Sequence, residues 1–110
     1  MARLLYYRCR GDDVKSLQYW LNYISTTQRQ SYLAALGLTG EFDGQTFRRV
    51  VEFQWFSGME TKDGIVGPKT RLEIAKSADL SLREDGSLPL VPGSADGKEV
   101  EHLSNRRNRS

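Results

Sequence analysis

Two eight-residue segments of the chain are near-copies of one another. Residues 39–46 read TGEFDGQT, and residues 63–70 read DGIVGPKT. In both, glycine is second, an apolar residue is fourth and threonine is eighth, and each segment leads into apolar residues at helical spacing. A turn followed by a helix, used twice, is typical of a small helical domain built by duplication. We call these stretches the first and the second turn segment.

The composition narrows the classes of function. The chain has 110 residues, a formal net charge of +2, one cysteine (Cys9) and one histidine (His102). A zinc centre, a serine triad or a cysteine–histidine pair needs a rigidly held histidine, whereas His102 lies in a polar tail. We therefore expect no metal, no cofactor and no catalytic residue. The small net charge does not indicate a nucleic-acid partner.

No targeting or membrane segment is evident. The apolar run at residues 4–7 ends at Arg8, and it is shorter than the ~7–15 apolar residues of a secretory signal. No stretch approaches the ~20 apolar residues of a membrane span. We expect a protein that is made in the cytoplasm without a signal peptide. If it acts at the cell wall, a larger assembly or a virion would carry it there.

Three amphipathic helices are predicted. The periodicity favours a first helix over about 13–24, a second from the capping residue Asp43 to about Ser57, and a third over about 68–77 with Pro68 at its first position. A further short helix over 30–36 is possible. The expected core positions on the three main helices are Val14, Leu17, Leu21, Ile24, Phe47, Val50, Val51, Phe53, Leu72, Ile74 and Ala75.

Two glutamines follow apolar core positions in matching places. Gln18 comes after Leu17, and Gln54 comes after Phe53. A buried glutamine must pair both ends of its amide. We therefore expect Gln18 and Gln54 to form hydrogen bonds with the backbone of the turns.

The composition becomes polar after residue 78. We predict a domain over residues 1–78 and an arm over 79–110 that is either disordered or ordered on a partner protein. Within the arm, leucines alternate with polar residues on both sides of Asp85 and Gly86, which is a signal for a type I′ hairpin. Pro89 would confine the second strand to an edge.

Three blocks of the sequence, taken together, resemble the peptidoglycan-binding-like domain family. Residues 11–18 read GDDVKSLQ, similar to the family opening G-x-x-V-x-x-L-Q. The first turn segment, followed by Phe53-Gln54, resembles the family's T-G-x-F-D element and its later F-Q. The second turn segment resembles the closing D-G-I-V-G-P-x-T. The blocks occur in order across residues 11–75, which makes their joint match specific.

The resemblance implies an all-α, compact three-helix bundle with pseudo-twofold internal symmetry, here followed by a C-terminal arm. It also implies a non-catalytic module of the kind attached to cell-wall hydrolases and thought to hold peptidoglycan. The chain departs from the family pattern at Arg49 and Glu73, where the family usually has small alanines.

Candidate ligand-binding residues follow from the chemistry of peptidoglycan. Sugar faces stack on aromatic rings, and carboxylates bind arginine or lysine. Several candidates also have a structural alternative: the tryptophans in the core or at subunit contacts, the aspartates as residues that organise turns, and Arg48 on a solvated face. The candidates are Trp20, Phe42, Asp43, Arg48, Trp55, Asp63 and Lys69.

Three classes of function remain open from the sequence. The leading hypothesis is a non-catalytic peptidoglycan-binding module without an attached hydrolase, serving as a subunit of a phage tail, an injection apparatus or a lysis complex. In that setting the arm would bind a protein partner. The alternative is a structural assembly protein that keeps the fold but binds protein rather than glycan. A small hydrolase using Asp43 and Asp63 is the least favoured, since no nucleophile with an adjacent base is apparent.

Overall fold

Three helices make up the regular structure of the described chain. The computed structural model describes residues 1–28 and 35–91. Helix α1 spans Asp12–Gln28, α2 spans Gly44–Phe56 and α3 spans Pro68–Ala78. No strand is present among these described residues, so the predicted all-α, three-helix fold is confirmed. Most of the possible short helix over 30–36 lies outside the described residues.

Helix α2 begins and ends at the residues that its sequence predicts. Asp43 is the N-cap, and its Oδ1 accepts a hydrogen bond from the Thr46 backbone N–H at 2.9 Å. The carboxylate also lies at the positive end of the helix dipole, which favours it. Ser57 forms the C-cap, and Gly58 follows with a φ of +71°. Local capping chemistry therefore fixes both ends of this helix.

Replacing Asp43 with alanine should lower the free energy of unfolding by about 1 kcal/mol, because the Thr46 N–H loses its acceptor. Asp43→Asn is the matched control, since asparagine caps helices nearly as well as aspartate. Urea unfolding followed by circular dichroism measures both variants. An alanine variant as stable as the asparagine variant would contradict the capping role.

Helix α1 continues to Gln28, beyond the predicted end at Ile24. Its last turns contain serine and threonines, which are weak helix formers, and a contact from α2 supports them. The guanidinium of Arg49 donates to the Leu21 carbonyl at 2.8 Å and to the Ser25 hydroxyl, which itself donates to Leu21 O. The extra length of α1 is therefore a tertiary effect.

The core lies where α1 packs against both α2 and α3. Two residues that were expected to face this core are instead on the surface: Phe47 is 39% exposed and Leu72 is 47% exposed. Both expectations were wrong because these helix positions face loops instead of helices. The buried apolar residues of the three helices include Val14, Leu17, Trp20, Leu21, Ile24, Val50, Phe53, Ile74, Ala75 and Ala78.

The N-terminal segment crosses both turn segments. Leu5 forms an antiparallel bridge with Val66 in the second turn segment, with reciprocal backbone hydrogen bonds of 3.1 and 2.8 Å. Arg10 forms a second antiparallel bridge with Glu41 in the first turn segment. Leu5 and Val66 are both buried. The extended lead-in therefore joins the two turn segments across one side of the bundle.

A tight turn follows α3, but it differs from the predicted type. The Gly86 N–H donates to the Arg83 carbonyl, which places Glu84 and Asp85 at the centre of the turn. Gly86 alone of these has a positive φ, +87°, whereas a type I′ turn needs positive φ at both central residues. The flanking residues pair through Arg83 N–H and Ser87 O without forming strands.

Residues 79–91 pack against the helices. Leu88 is buried, and the Trp20 indole N–H donates to the Pro89 carbonyl at 2.9 Å. Residues 92–110 lie outside the described residues, so the division of the chain at residue 78 stays a prediction. What the structure shows is that the first part of the arm covers one side of α1.

Candidate functional site

The first turn segment is held by the buried amide of Gln18. Its Nε2 donates to the Glu41 carbonyl and to the Thr46 hydroxyl, both at 3.0 Å. Its Oε1 accepts from the Gly40 N–H, also at 3.0 Å. Gly40 has a φ of +79°, a conformation that favours glycine. One side chain of α1 therefore satisfies both the carbonyl and the N–H of this turn.

The second turn segment is held in the same way by Gln54. Its Nε2 donates to the Ile65 carbonyl at 3.1 Å and to the Thr70 hydroxyl at 3.2 Å, and its Oε1 accepts from the Gly64 N–H at 2.9 Å. Gly64 has a φ of +78°. The prediction that both glutamines bond the backbone of the turns is confirmed. The equivalent residues of the two segments have the same hydrogen-bond pattern.

A groove opens beside the second turn segment. It has a volume of about 740 Å³ and lies between residues 59–61, the second turn segment and the outer face of α3. Its apolar lining comes from Met59, Ile65, Pro68 and Leu72. Ile65 and Val66 are neighbours in an extended segment, where successive side chains point to opposite sides. Because Val66 is buried, the Ile65 side chain is exposed.

Charged side chains line the same groove. Glu60, Asp63 and Glu73 contribute carboxylates, and Lys69 contributes an ammonium group. Asp63 also has a structural role, because its Oδ1 accepts from the Ile65 N–H at 3.0 Å. Glu73 lies 3.7 Å from the Lys76 ammonium in an ion pair between neighbouring turns of α3. The groove therefore combines an apolar surface with several charges.

Trp55 and Lys62 form an aromatic–cation pair, and each is next in the chain to a residue that lines the groove, although neither lines it. Trp55 is 65% exposed, and the Lys62 Nζ is 4.7 Å from its ring centroid. Lys62 also donates to the carbonyl of Met59, a groove-lining residue. A cation over an indole ring is a favourable contact. An exposed indole beside a groove is a platform on which a sugar ring can stack.

Two other predicted site residues, Trp20 and Phe42, lie in the core. Phe42 is 1% exposed, and Trp20 is 9% exposed between the edge-on rings of Tyr19 and Tyr23. The Trp20 indole N–H is bonded to the backbone of residue 89. Neither ring has a free face for a sugar, so Trp20 fits its structural alternative as a core residue, and Phe42 is a core residue as well.

The remaining candidates divide between the groove and the rest of the surface. Asp63 and Lys69 line the groove, whereas Asp43 and Arg48 are exposed near the start of α2 and are not among its lining residues. The sequence did not single out Met59, Ile65 or Leu72 as groove residues. Of these three, only Ile65 could have been found from the sequence, because it lies next to the apolar Val66 in an extended segment and the two side chains must point to opposite sides.

The comparison with protein families decides the identity of the fold. The family model described as "Putative peptidoglycan binding domain" matches residues 10–72, which is more than half of the chain. The chain belongs to this family of peptidoglycan-binding domains. No curated protein and no solved structure matches it. The family match covers α1, α2, both turn segments and the start of α3.

The two departures from the family pattern have different positions in this peptidoglycan-binding domain. Arg49 is buried and holds the end of α1, whereas Glu73 lines the groove. Burial lowers the pKa of the Arg49 guanidinium from its ordinary value, and the Glu52 carboxylate, 3.6 Å from Nε, opposes that shift. Arginine stays charged despite such a shift. The arginine at position 49 therefore affects the fold, whereas the glutamate at position 73 changes the lining of the groove.

Within residues 1–28 and 35–91, no three His, Cys, Asp or Glu side chains are grouped to hold a metal ion. In the same ranges, no helix combines the length and the apolar character that crossing a membrane requires.

Proposed function

We propose that this domain is a non-catalytic module that binds peptidoglycan in the groove beside the second turn segment. The observation that carries the proposal is the groove itself, in a member of a peptidoglycan-binding family, with the exposed Trp55–Lys62 pair formed by chain neighbours of groove-lining residues. The indole offers a face for a sugar ring. Lys62 and Lys69 offer ammonium groups for the carboxylates of the wall.

The two aspartates that could have formed a hydrolytic pair support a binding role instead. Asp43 accepts from the Thr46 N–H, and Asp63 accepts from the Ile65 N–H. Each carboxylate therefore organises the turn in which it lies. Because the family is one of binding domains, recognition without turnover is the function that best fits this chain.

The setting that we propose is a larger assembly that contacts the wall, such as a phage tail, an injection apparatus or a lysis complex. The protein would be made in the cytoplasm and delivered by that assembly. Residues 79–110 would provide the contact with a protein partner. Their described part already covers Trp20 and so presents a protein surface continuous with the bundle.

A protein-binding role without glycan is the second candidate, and one feature favours it. Tyr6 and Tyr7 are each about half exposed in a turn closed by a hydrogen bond from Cys9 N–H to Tyr6 O. Arg8 in this turn has a φ of +85°, rare for a residue with a side chain, and its guanidinium lies 5.7 Å from the Tyr7 ring centroid. Tyrosine and arginine are frequent anchors of protein interfaces.

Sedimentation with purified sacculi tests the binding function. The wild-type protein should pellet with sacculi, and Trp55→Ala should lower the affinity about fivefold or more, because the stacking platform is lost. Tyr7→Ala is the matched control, since it removes an exposed aromatic ring from the N-terminal turn, where the next residue, Arg8, bonds the first turn segment at Phe42 O. A wild-type protein that leaves sacculi unbound but forms a stable complex with a protein would support the second candidate.

A further inference from the structure

The bridge between the N-terminal segment and the second turn segment has a buried face and an outer face. Leu5 and Val66 exchange backbone hydrogen bonds of 3.1 and 2.8 Å, so they are a hydrogen-bonded antiparallel pair. Both side chains are buried. Because successive side chains of extended chain point to opposite sides, the neighbours of this pair lie on the outer face. Two of those neighbours, Ile65 and Gly67, line the groove.

The other two neighbours of the pair belong to the N-terminal segment. The antiparallel register places Tyr6 opposite Ile65 and Leu4 opposite Gly67. Positions that flank a hydrogen-bonded pair are the closely spaced ones of an antiparallel ladder. Tyr6 is 51% exposed and Leu4 is 50% exposed, whereas Leu5 between them is buried. The N-terminal segment therefore presents an aromatic ring and an aliphatic side chain on the face that continues into the groove.

A close contact at Gly67 agrees with this register. A Cβ at Gly67 would lie 3.1 Å from Cδ2 of Leu4. The φ of Gly67 is −113°, which any residue adopts, so the nearby leucine and not the backbone conformation favours glycine here. Since Gly67 lines the groove, the Leu4 side chain lies directly against a part of the groove wall.

The backbone beside Tyr6 is attached to both turn segments. On one side, Leu5 is bonded to Val66. On the other, the Tyr6 carbonyl accepts from the Cys9 N–H at 2.9 Å, and the Arg8 N–H donates to the Phe42 carbonyl of the first turn segment at 2.8 Å. A tyrosine on a fixed backbone offers a large contact area at a low cost in conformational entropy.

We propose that Tyr6 is a further ligand-binding residue, and that its ring stacks on a sugar of the wall glycan that extends from the groove over the N-terminal segment. The proposal rests on the proposed function and adds to it the part of the wall that lies on this face. Leu4, Tyr6, Ile65 and Gly67 have no charge. The glycan has apolar C–H faces and hydroxyl edges, which suit an aromatic ring with a phenol group. The charged groups of the wall lie in its peptide stems, so this face fits the glycan better.

The test uses two probes, purified sacculi and glycan strands freed of their peptide stems by an amidase. Tyr6→Ala should lower the affinity for both probes about threefold or more, because a stacking ring is lost. Tyr6→Phe keeps the ring and should stay within about twofold of the wild-type protein. Tyr7→Ala is the matched control, since it removes the adjacent ring, which is exposed to the same degree, and should leave the affinity unchanged.

A further variant distinguishes stacking from a structural role. Tyr6→Leu keeps an apolar side chain but has no flat ring, so it should bind the glycan strands as weakly as Tyr6→Ala. Urea unfolding should give similar midpoints for all the Tyr6 variants, because the side chain is half exposed. If Tyr6→Leu binds as tightly as the wild-type protein, the proposal is overturned even where Tyr6→Ala is unstable.

The outcomes separate this proposal from the proposed function. A wild-type protein that binds sacculi but not the peptide-free strands would overturn the glycan contact and leave wall binding intact. The same holds if Tyr6→Ala binds both probes normally, or if it loses only a complex with a partner protein. If the wild-type protein binds neither probe, both proposals fail. A loss of glycan affinity in Tyr6→Ala and Tyr6→Leu, but not in Tyr6→Phe or Tyr7→Ala, would establish the contact.

Discussion

Replacing Gly64 with alanine is expected to lower the free energy of unfolding by about 3 kcal/mol, the largest effect of any single methyl group that we predict. Gly64 has a φ of +78°, which by itself disfavours a side chain by about 1–2 kcal/mol. An alanine Cβ would also lie 2.3 Å from Cε1 of the Phe47 ring. Relieving that overlap would shift the ring or the turn, at a further cost of about 1–3 kcal/mol.

The Gly58→Ala variant separates the cost of the positive φ from the cost of the overlap with a neighbouring side chain. Gly58 has a φ of +71°, and a Cβ there has nothing within 4 Å. The Gly58→Ala variant should therefore lower the free energy of unfolding only by the backbone contribution of about 1–2 kcal/mol. Adding Phe47→Ala to Gly64→Ala should restore part of the stability, since it removes the overlapping ring. Urea midpoints of the three proteins measure these differences, and equal losses in Gly58→Ala and Gly64→Ala would contradict the close contact.

Replacing Gln54 with alanine is expected to cost about 3 kcal/mol of unfolding free energy, because the buried partners of its amide lose their hydrogen bonds to it. The Gly64 N–H, the Ile65 carbonyl and the Thr70 hydroxyl all bond to this amide. An unpaired buried polar group costs about 1–3 kcal/mol. Since the second turn segment is one wall of the groove, sacculus binding should fall as well.

Gln45→Ala is the control on the same helix. Gln45 is exposed, and its replacement should change the unfolding free energy by less than about 0.5 kcal/mol. Hydrogen exchange gives a local readout, because the Gly64 amide should lose protection in Gln54→Ala under conditions where the protein remains folded. A Gln54→Ala protein with wild-type stability and an equally protected Gly64 amide would show that the turn holds its shape without this side chain.

Features that depend on local chemistry could be predicted from the sequence. The cap at Asp43, the proline at the start of α3 and the glycines of the turns each act within a few residues of their own position. The glutamine contacts could also be predicted, since Gln18 and Gln54 follow buried positions and must pair their amides. These features made the three-helix fold and the glutamine contacts of the turn segments predictable.

Only part of the candidate site could be predicted from the sequence. Trp20 and Trp55 are alike in the sequence as tryptophans on amphipathic helices, yet one is covered by residues 79–91 and the other is exposed. The burial of an aromatic ring depends on distant chain that packs over it, and helical periodicity contains no information about that packing. For the same reason Phe47 and Leu72 were assigned to the core, although they border the turn and the groove.

The sequence by itself determined the three helices, the cap of α2 and the two glycine turns, because hydrogen bonds and dihedral preferences over short spans decide such features. The role of Gln18 and Gln54 could be predicted for another reason, since a buried amide must be paired. Only the tertiary structure decided which aromatic ring reaches solvent, how far α1 extends and which charges meet in the groove. Those outcomes depend on contacts between segments far apart in the chain, such as Arg49 with the end of α1 and Pro89 with Trp20.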